Sequence, residues 1–296
     1  MNERRRLGVC TWTFGDLALD EIAQRLSTLG FDGVELMGDL ARYQVGEAAR
    51  VLQDYGLAVF SLTPENVDLA HPDRAVRAGA IAYYLRLLDF AAELRNPIVA
   101  CHGYVGRVRA VSTLAEERAV FVSSVAQIAE RARELGLRLV MEVLNRYEAH
   151  LLNTATEALD FVTEVGAENV GILLDAYHMN IEEANPAGAL HQAGERLWLY
   201  HAADSNRQGI GRGHAQRRTL EHRDDRGELP DGQDGPRRGT AEHGRRPSRR
   251  RWSRGVRHAL NDAARAGGPA GSSTAGGGGS RARPPWTRDG SGSPAR

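Results

Sequence analysis

Glu142-Val-Leu-Asn145-Arg146-Tyr147-Glu148, Leu174-Asp175-Ala-Tyr177-His178-Met-Asn180 and His201-Ala-Ala-Asp204-Ser205-Asn206-Arg207 decide how this chain reads. Each segment directly follows a short apolar run: Leu137–Met141, Val170–Leu174 and Leu197–Tyr200. Short runs rich in branched side chains read as buried strands. Two carboxylates and an imidazole then stand at three successive strand ends, each one strand–helix unit from the next. One site assembled from consecutive units is the simplest explanation.

The same alternation extends toward the N-terminus. Strands are expected over 7–14, 34–37, 57–62 and 98–101, and helices over 19–29, 47–55, 72–94 and 114–135. Gly30, Gly56 and Gly136 stand where the first, second and fourth of these helices stop. Further helices are expected over 155–165, stopped by Gly166, and over 186–193. Seven strand–helix alternations imply a parallel sheet, and strands apolar on both faces imply that both sides are covered. An open doubly wound sheet and a closed (β/α)8 barrel both accept this pattern. Reactive residues recurring at the ends of strands five, six and seven suit the C-terminal mouth of a TIM-type barrel.

Composition divides the 296-residue chain near position 214. Residues 215–296 hold no Ile, Phe, Tyr or Met, one Val and three Leu, with 18 Arg against nine acids. Such a segment cannot bury a core, so the expectation is a barrel domain over 1–214 and a disordered Arg/Gly/Pro-rich tail over 215–296. The chain has no lysine, and from Gln216 onward it resembles GC-rich coding sequence read out of frame. A tail that binds nucleic acid through arginines, with Trp252 and Trp286 stacking on bases, is disfavoured by its interspersed acids. Cys10 and Cys101 have no paired spacing, which argues against a disulfide framework and for a reducing cytoplasm. The N-terminal apolar run is too short for a signal peptide or a membrane span.

Glu142, Asp175 and His201 offer two hard oxygens and one nitrogen, a donor set for Mn²⁺, Mg²⁺ or Co²⁺. Trp12, Glu65 with Asn66, and His102 sit at expected strand ends and are pocket candidates. The glycine-rich run Gly209-Ile-Gly211-Arg-Gly213-His214 is a weaker candidate for phosphate binding, since no helix is expected after it.

Together these motifs resemble the ketose 3-epimerases (D-tagatose and D-psicose 3-epimerases) of the xylose-isomerase-like TIM barrel superfamily. The resemblance runs from about residue 7 to 214, and Ala202-Ala203-Asp204 departs from it. It implies a Mn²⁺ or Co²⁺ site with Glu142, Asp175 and His201 as three of four ligands. The fourth would be a glutamate at the end of an eighth strand. It also implies that Glu148, His178 and Arg207 contact a ketose, that Glu142 is one of two acid/bases, and that the barrel forms dimers or tetramers.

The chemistry is coherent on its own terms. Inverting C3 of a ketose removes a proton beside a carbonyl, and a divalent cation stabilises the enediolate that develops. A base on one face and an acid on the other complete the inversion. An aldose–ketose isomerase such as hydroxypyruvate isomerase, or an inosose dehydratase, would use similar parts. An abasic-site endonuclease would need more histidines at the strand ends. Pro236 stands about where the fourth ligand should fall, and the acids near it follow no strand-like run. The expectation is therefore a poorly active chain, or a non-catalytic remnant.

Overall fold

Strands β1 (Gly8–Cys10), β2 (Gly33–Met37), β3 (Ala58–Thr63), β4 (Ile98–Cys101), β5 (Leu139–Glu142), β6 (Val170–Asp175) and β7 (Leu197–His201) pair in chain order. Every pairing is parallel. The computed structural model describes residues 6–95, 97–207 and 211–214. The expectations for the tail and for an eighth strand lie outside the described residues.

Helices α1 (Leu19–Thr28), α2 (Val45–Asp54), α3 (Arg74–Glu93), α4 (Leu114–Glu134), α5 (Ala155–Val165), α6 (Ala176–Glu182) and α7 (Pro186–Ala193) connect the strands. Local chemistry sets their starts. Thr113 and Thr154 each form a capping box with the glutamate three residues on, and Asp73 accepts the Ala75 N–H. At the far end of α5, Gly166 takes φ 69°, a left-handed geometry that costs glycine little. The sheet curls as a TIM-type barrel does, bringing His201 of β7 within 3.1 Å of Glu35 on β2.

The period-two alternation of strands sorts side chains into two sets. Val34, Leu36, Leu62, Met141, Ile172 and Leu174 face the helices and join the main core. On the inner face, Ile98, Ala100, Val140 and Leu173 form a second apolar cluster, with Trp198 and Leu199 against it. Trp198 packs so closely over β6 that a Cβ on Gly171 would lie 2.4 Å from its ring. The expectation that the strands are apolar on both faces fails on β2 and β3, whose inner face carries Glu35, Ser61 and Thr63.

Two local elements also differ. The first strand is only Gly8–Cys10, because Thr11–Phe14 winds into a 3-10 turn in which Thr13 Oγ1 donates to the Cys10 carbonyl at 2.7 Å. Trp12 therefore sits on that turn and not at a strand end. Helix α6 was not foreseen. Asp175 starts it by accepting the Tyr177 N–H at 2.7 Å, so the last residue of β6 is also a helix cap.

Candidate metal centre and active site

Glu142, Asp175 and His201 end β5, β6 and β7, and the register pairs Asp175 directly with His201. One donor atom from each lies within 4.8 Å of the other two. His201 Nδ1 is 3.6 Å from Glu142 Oε1 and 3.7 Å from Asp175 Oδ2. On the other side of the ring, Nε2 faces Glu35 Oε2 at 3.1 Å. Glu35 also accepts Ser61 Oγ at 2.5 Å and Thr63 Oγ1, with the Cys10 thiol 3.7 Å away.

Electrostatics follow from this geometry. Burial opposes the charge on His201, but Glu35, Asp175 and Glu142 hold its pKa well above the usual histidine range. Burial likewise opposes the charge on Glu35, yet His201, Ser61 and Thr63 lower its pKa to about 2. Asp175 is lowered against its own burial by His201 and His178. Burial, followed by the charge on Glu35, pushes the Cys10 thiol up. Three buried or nearly buried carboxylates thus share one imidazole, and no arginine pairs with them among the described residues. Two carboxylates and a ring nitrogen converging with a deficit of positive charge fit a divalent cation.

A second layer lies beside the first. Asn145 Oδ1 accepts the Tyr147 N–H at 2.9 Å, which orients the amide so that Nδ2 faces His178 Nδ1 at 2.7 Å. The Asn145 backbone N–H also points at Nδ1, at 3.1 Å. Nitrogen donors thus face both ring nitrogens, the two Asn145 groups at Nδ1 and the Arg207 guanidinium at Nε2. Burial lowers the His178 pKa. Arg207, at φ 55°, lies 3.0 Å from Glu148 Oε1 and 3.1 Å from His178 Nε2, with its guanidinium 4.2 Å from the Tyr177 ring centre. Glu148 accepts from Arg207. The structure therefore brings Glu148, His178 and Arg207 together.

The weaker candidates make contacts of their own. His102 is buried and donates from Nδ1 to the Gly103 carbonyl at 2.6 Å. Asn66 exchanges two bonds of 2.9 Å with the Val105 backbone, clasping the β3–α3 and β4–α4 loops. The Glu65 pKa is raised by burial and then by Asp39. In the glycine-rich run, Gly211 N–H is spent on Asp204 and His214 N–H on Ser205, both at 2.7 Å, which removes donors a phosphate would need.

The model of one protein family, described as xylose isomerase-like TIM barrel, matches residues 23–234. The chain belongs to this family. A D-psicose 3-epimerase of Agrobacterium fabrum is 36% identical over 200 residues, which cover 64% of this chain and 69% of that protein. An L-ribulose 3-epimerase of Mesorhizobium japonicum is 32% identical over 190 residues, covering 62% of this chain and 63% of the relative. Among solved structures, a D-psicose 3-epimerase determined in the presence of D-fructose superposes with TM-score 0.68 at 30% identity, over 73% of this chain and 79% of the other. This xylose isomerase-like barrel thus has sugar epimerases as relatives. Of its inner residues, Glu35, Ser61, Thr63 and Asn145 were not foreseen from sequence as parts of the site. The available signal was an acid in the middle of an otherwise apolar strand, Gly33-Val-Glu35-Leu-Met37.

Proposed function

We propose that the chain is a metal-dependent ketose 3-epimerase acting on a free ketohexose or ketopentose. The convergence of Glu142, Asp175 and His201 at the mouth of a barrel with ketose 3-epimerase relatives carries this reading. Those three residues would hold Mn²⁺, with Co²⁺ and Mg²⁺ as substitutes. Such a cation, when bound, supplies Lewis-acid stabilisation of the negative charge that develops beside the reacting carbon.

The chain's own residues supply the rest. Glu142 takes or returns the C3 proton on one face of the sugar. His178, held between Asn145 and Arg207, hydrogen-bonds a substrate oxygen. Arg207 and Glu148 are already joined and together orient substrate hydroxyls. The second acid/base implied by the resemblance would come from an eighth strand, outside the described residues. The composition after Gln216 supports its absence, which would cost about 10²–10⁴-fold in rate.

Incubating the full chain with Mn²⁺ and D-fructose in D₂O tests both parts. Slow deuterium incorporation at C3, with no aldose formed, is the expected result. Deuterium at C1 with aldose formation would favour the isomerase alternative. Turnover at a rate ordinary for enzymes would show that the acid/base on the second face is present after all.

A further inference from the structure

Glu35 belongs to none of the strand-end motifs, yet it is among the most heavily bonded carboxylates of the barrel. It is 5% exposed, and its neighbours in register are Cys10 on β1 and Ser61 on β3. Each oxygen has two donors: Thr63 Oγ1 and the Cys10 thiol at Oε1, Ser61 Oγ and His201 Nε2 at Oε2. Cys10, Glu35 and His201 are also close enough to be counted as a metal-binding trio. That use is disfavoured because the donors already occupy both oxygens. The two nitrogens of an imidazole point in diverging directions, so an ion on Nδ1 between Glu142 and Asp175 is out of reach of a carboxylate at Nε2.

We propose that Glu35 is a positioning residue for His201. It accepts the Nε2–H, fixes the ring's rotation and tautomer, and so turns the Nδ1 lone pair toward Glu142 and Asp175. Ser61 and Thr63 in turn hold Glu35. The inference deepens the metal reading above and rests on it. A carboxylate behind a ligating histidine makes the ring a better donor, and losing such a partner typically weakens metal binding about 10–100-fold.

Titrating Mn²⁺ into the full chain and its variants tests the assignment. E35Q keeps the side-chain shape and an acceptor but removes the charge. Mn²⁺ affinity should fall about 10–100-fold in E35Q and a few-fold in S61A. The visible absorption of the Co²⁺-loaded protein should shift in E35Q, a change that a merely structural role would not produce. Circular dichroism checks folding, and S61A carries the test if E35Q does not fold. Unchanged affinity and spectrum in E35Q would overturn the proposal. So would an effect as complete as that of H201N, which would make Glu35 a ligand itself. If the unsubstituted chain binds no Mn²⁺, the metal reading fails and takes this inference with it. Binding that is lost in E142Q but untouched in E35Q would sink the inference alone.

Discussion

Two acid clusters sit at the C-terminal end of this barrel, and they are balanced differently. Around His201, the carboxylates of Glu35, Glu142 and Asp175 meet one imidazole. Around Arg107, the carboxylates of Asp68 and Glu117 meet a guanidinium and His150. Glu117 also accepts the Val111 and Ser112 N–H groups, at 2.5 and 3.0 Å. The second cluster meets its carboxylates with its own cation and ties three βα loops together. The first is short of positive charge at the point where three strands end. A count of buried acids would rank the two alike. The balance of charge separates a fastening from the proposed cation site.

The most direct test of this distinction is ligand-linked stability. Mn²⁺ at 100 times its dissociation constant should stabilise the unsubstituted chain by about 2.7 kcal/mol. D175N retains a good helix cap for α6 but removes a donor, so most of that increment should vanish. E117Q should keep the full increment, because its carboxylate has no part in the proposed cation site. Urea unfolding with and without Mn²⁺ measures both. An increment that survives D175N and disappears in E117Q would reverse the assignment of the two clusters.

Without metal, the ranking should invert. Glu117 is fully buried, and removing its charge leaves Arg107 with Asp68 as its remaining carboxylate and takes the ion-pair partner from His150, at a cost of about 3 kcal/mol at pH 7. The pH dependence has a definite sign. Burial works against the Glu117 charge, but Ser112, Arg107 and His150 hold its pKa at about 2, below the unfolded value of about 4.3. Its contribution is complete above the unfolded pKa and is lost as pH falls through the folded one. The stability gap between the parent and E117Q should therefore narrow between pH 4.3 and 2. A gap of constant size across that window would assign the loss to packing.

How much of this could be read from sequence follows from where each charge lies. Glu142, Asp175 and His201 were legible because each ends an apolar run, and the strand period then places all three on the inner face. Glu148, His178 and Arg207 came with the longer motifs around them. Glu35 was overlooked because Val34–Met37 reads as apolar as a whole, and only the alternation of faces shows its one acid pointing into the barrel. Ser61 and Thr63 are ordinary strand residues until β3 is registered against β2. Arg107, Glu117 and His150 meet across separate loops, and no local period connects them. Helix α6 is hard to read because Ala176–Glu182 is only seven residues long, too short for a helical apolar period to stand out.

The smallest effect concerns how the Arg107 cluster is attached to its helix. Thr113 caps α4, accepting the Glu116 N–H at 3.2 Å, and Glu117 is the next residue along. T113A alone should cost about 1 kcal/mol in urea unfolding. The two devices grip adjoining backbone: Glu117 holds Val111 and Ser112, and the cap fixes the turn that follows. Once either is lost, the other holds a segment that is already partly free. The double variant T113A/E117Q should therefore cost less than the sum of the single variants, by at least about 0.5 kcal/mol. Additive costs would mean that the Arg107 cluster fastens its loops independently of the start of α4. The contrast with the His201 cluster would then rest on charge balance alone, because that cluster's cap, Asp175, is itself one of the unbalanced carboxylates.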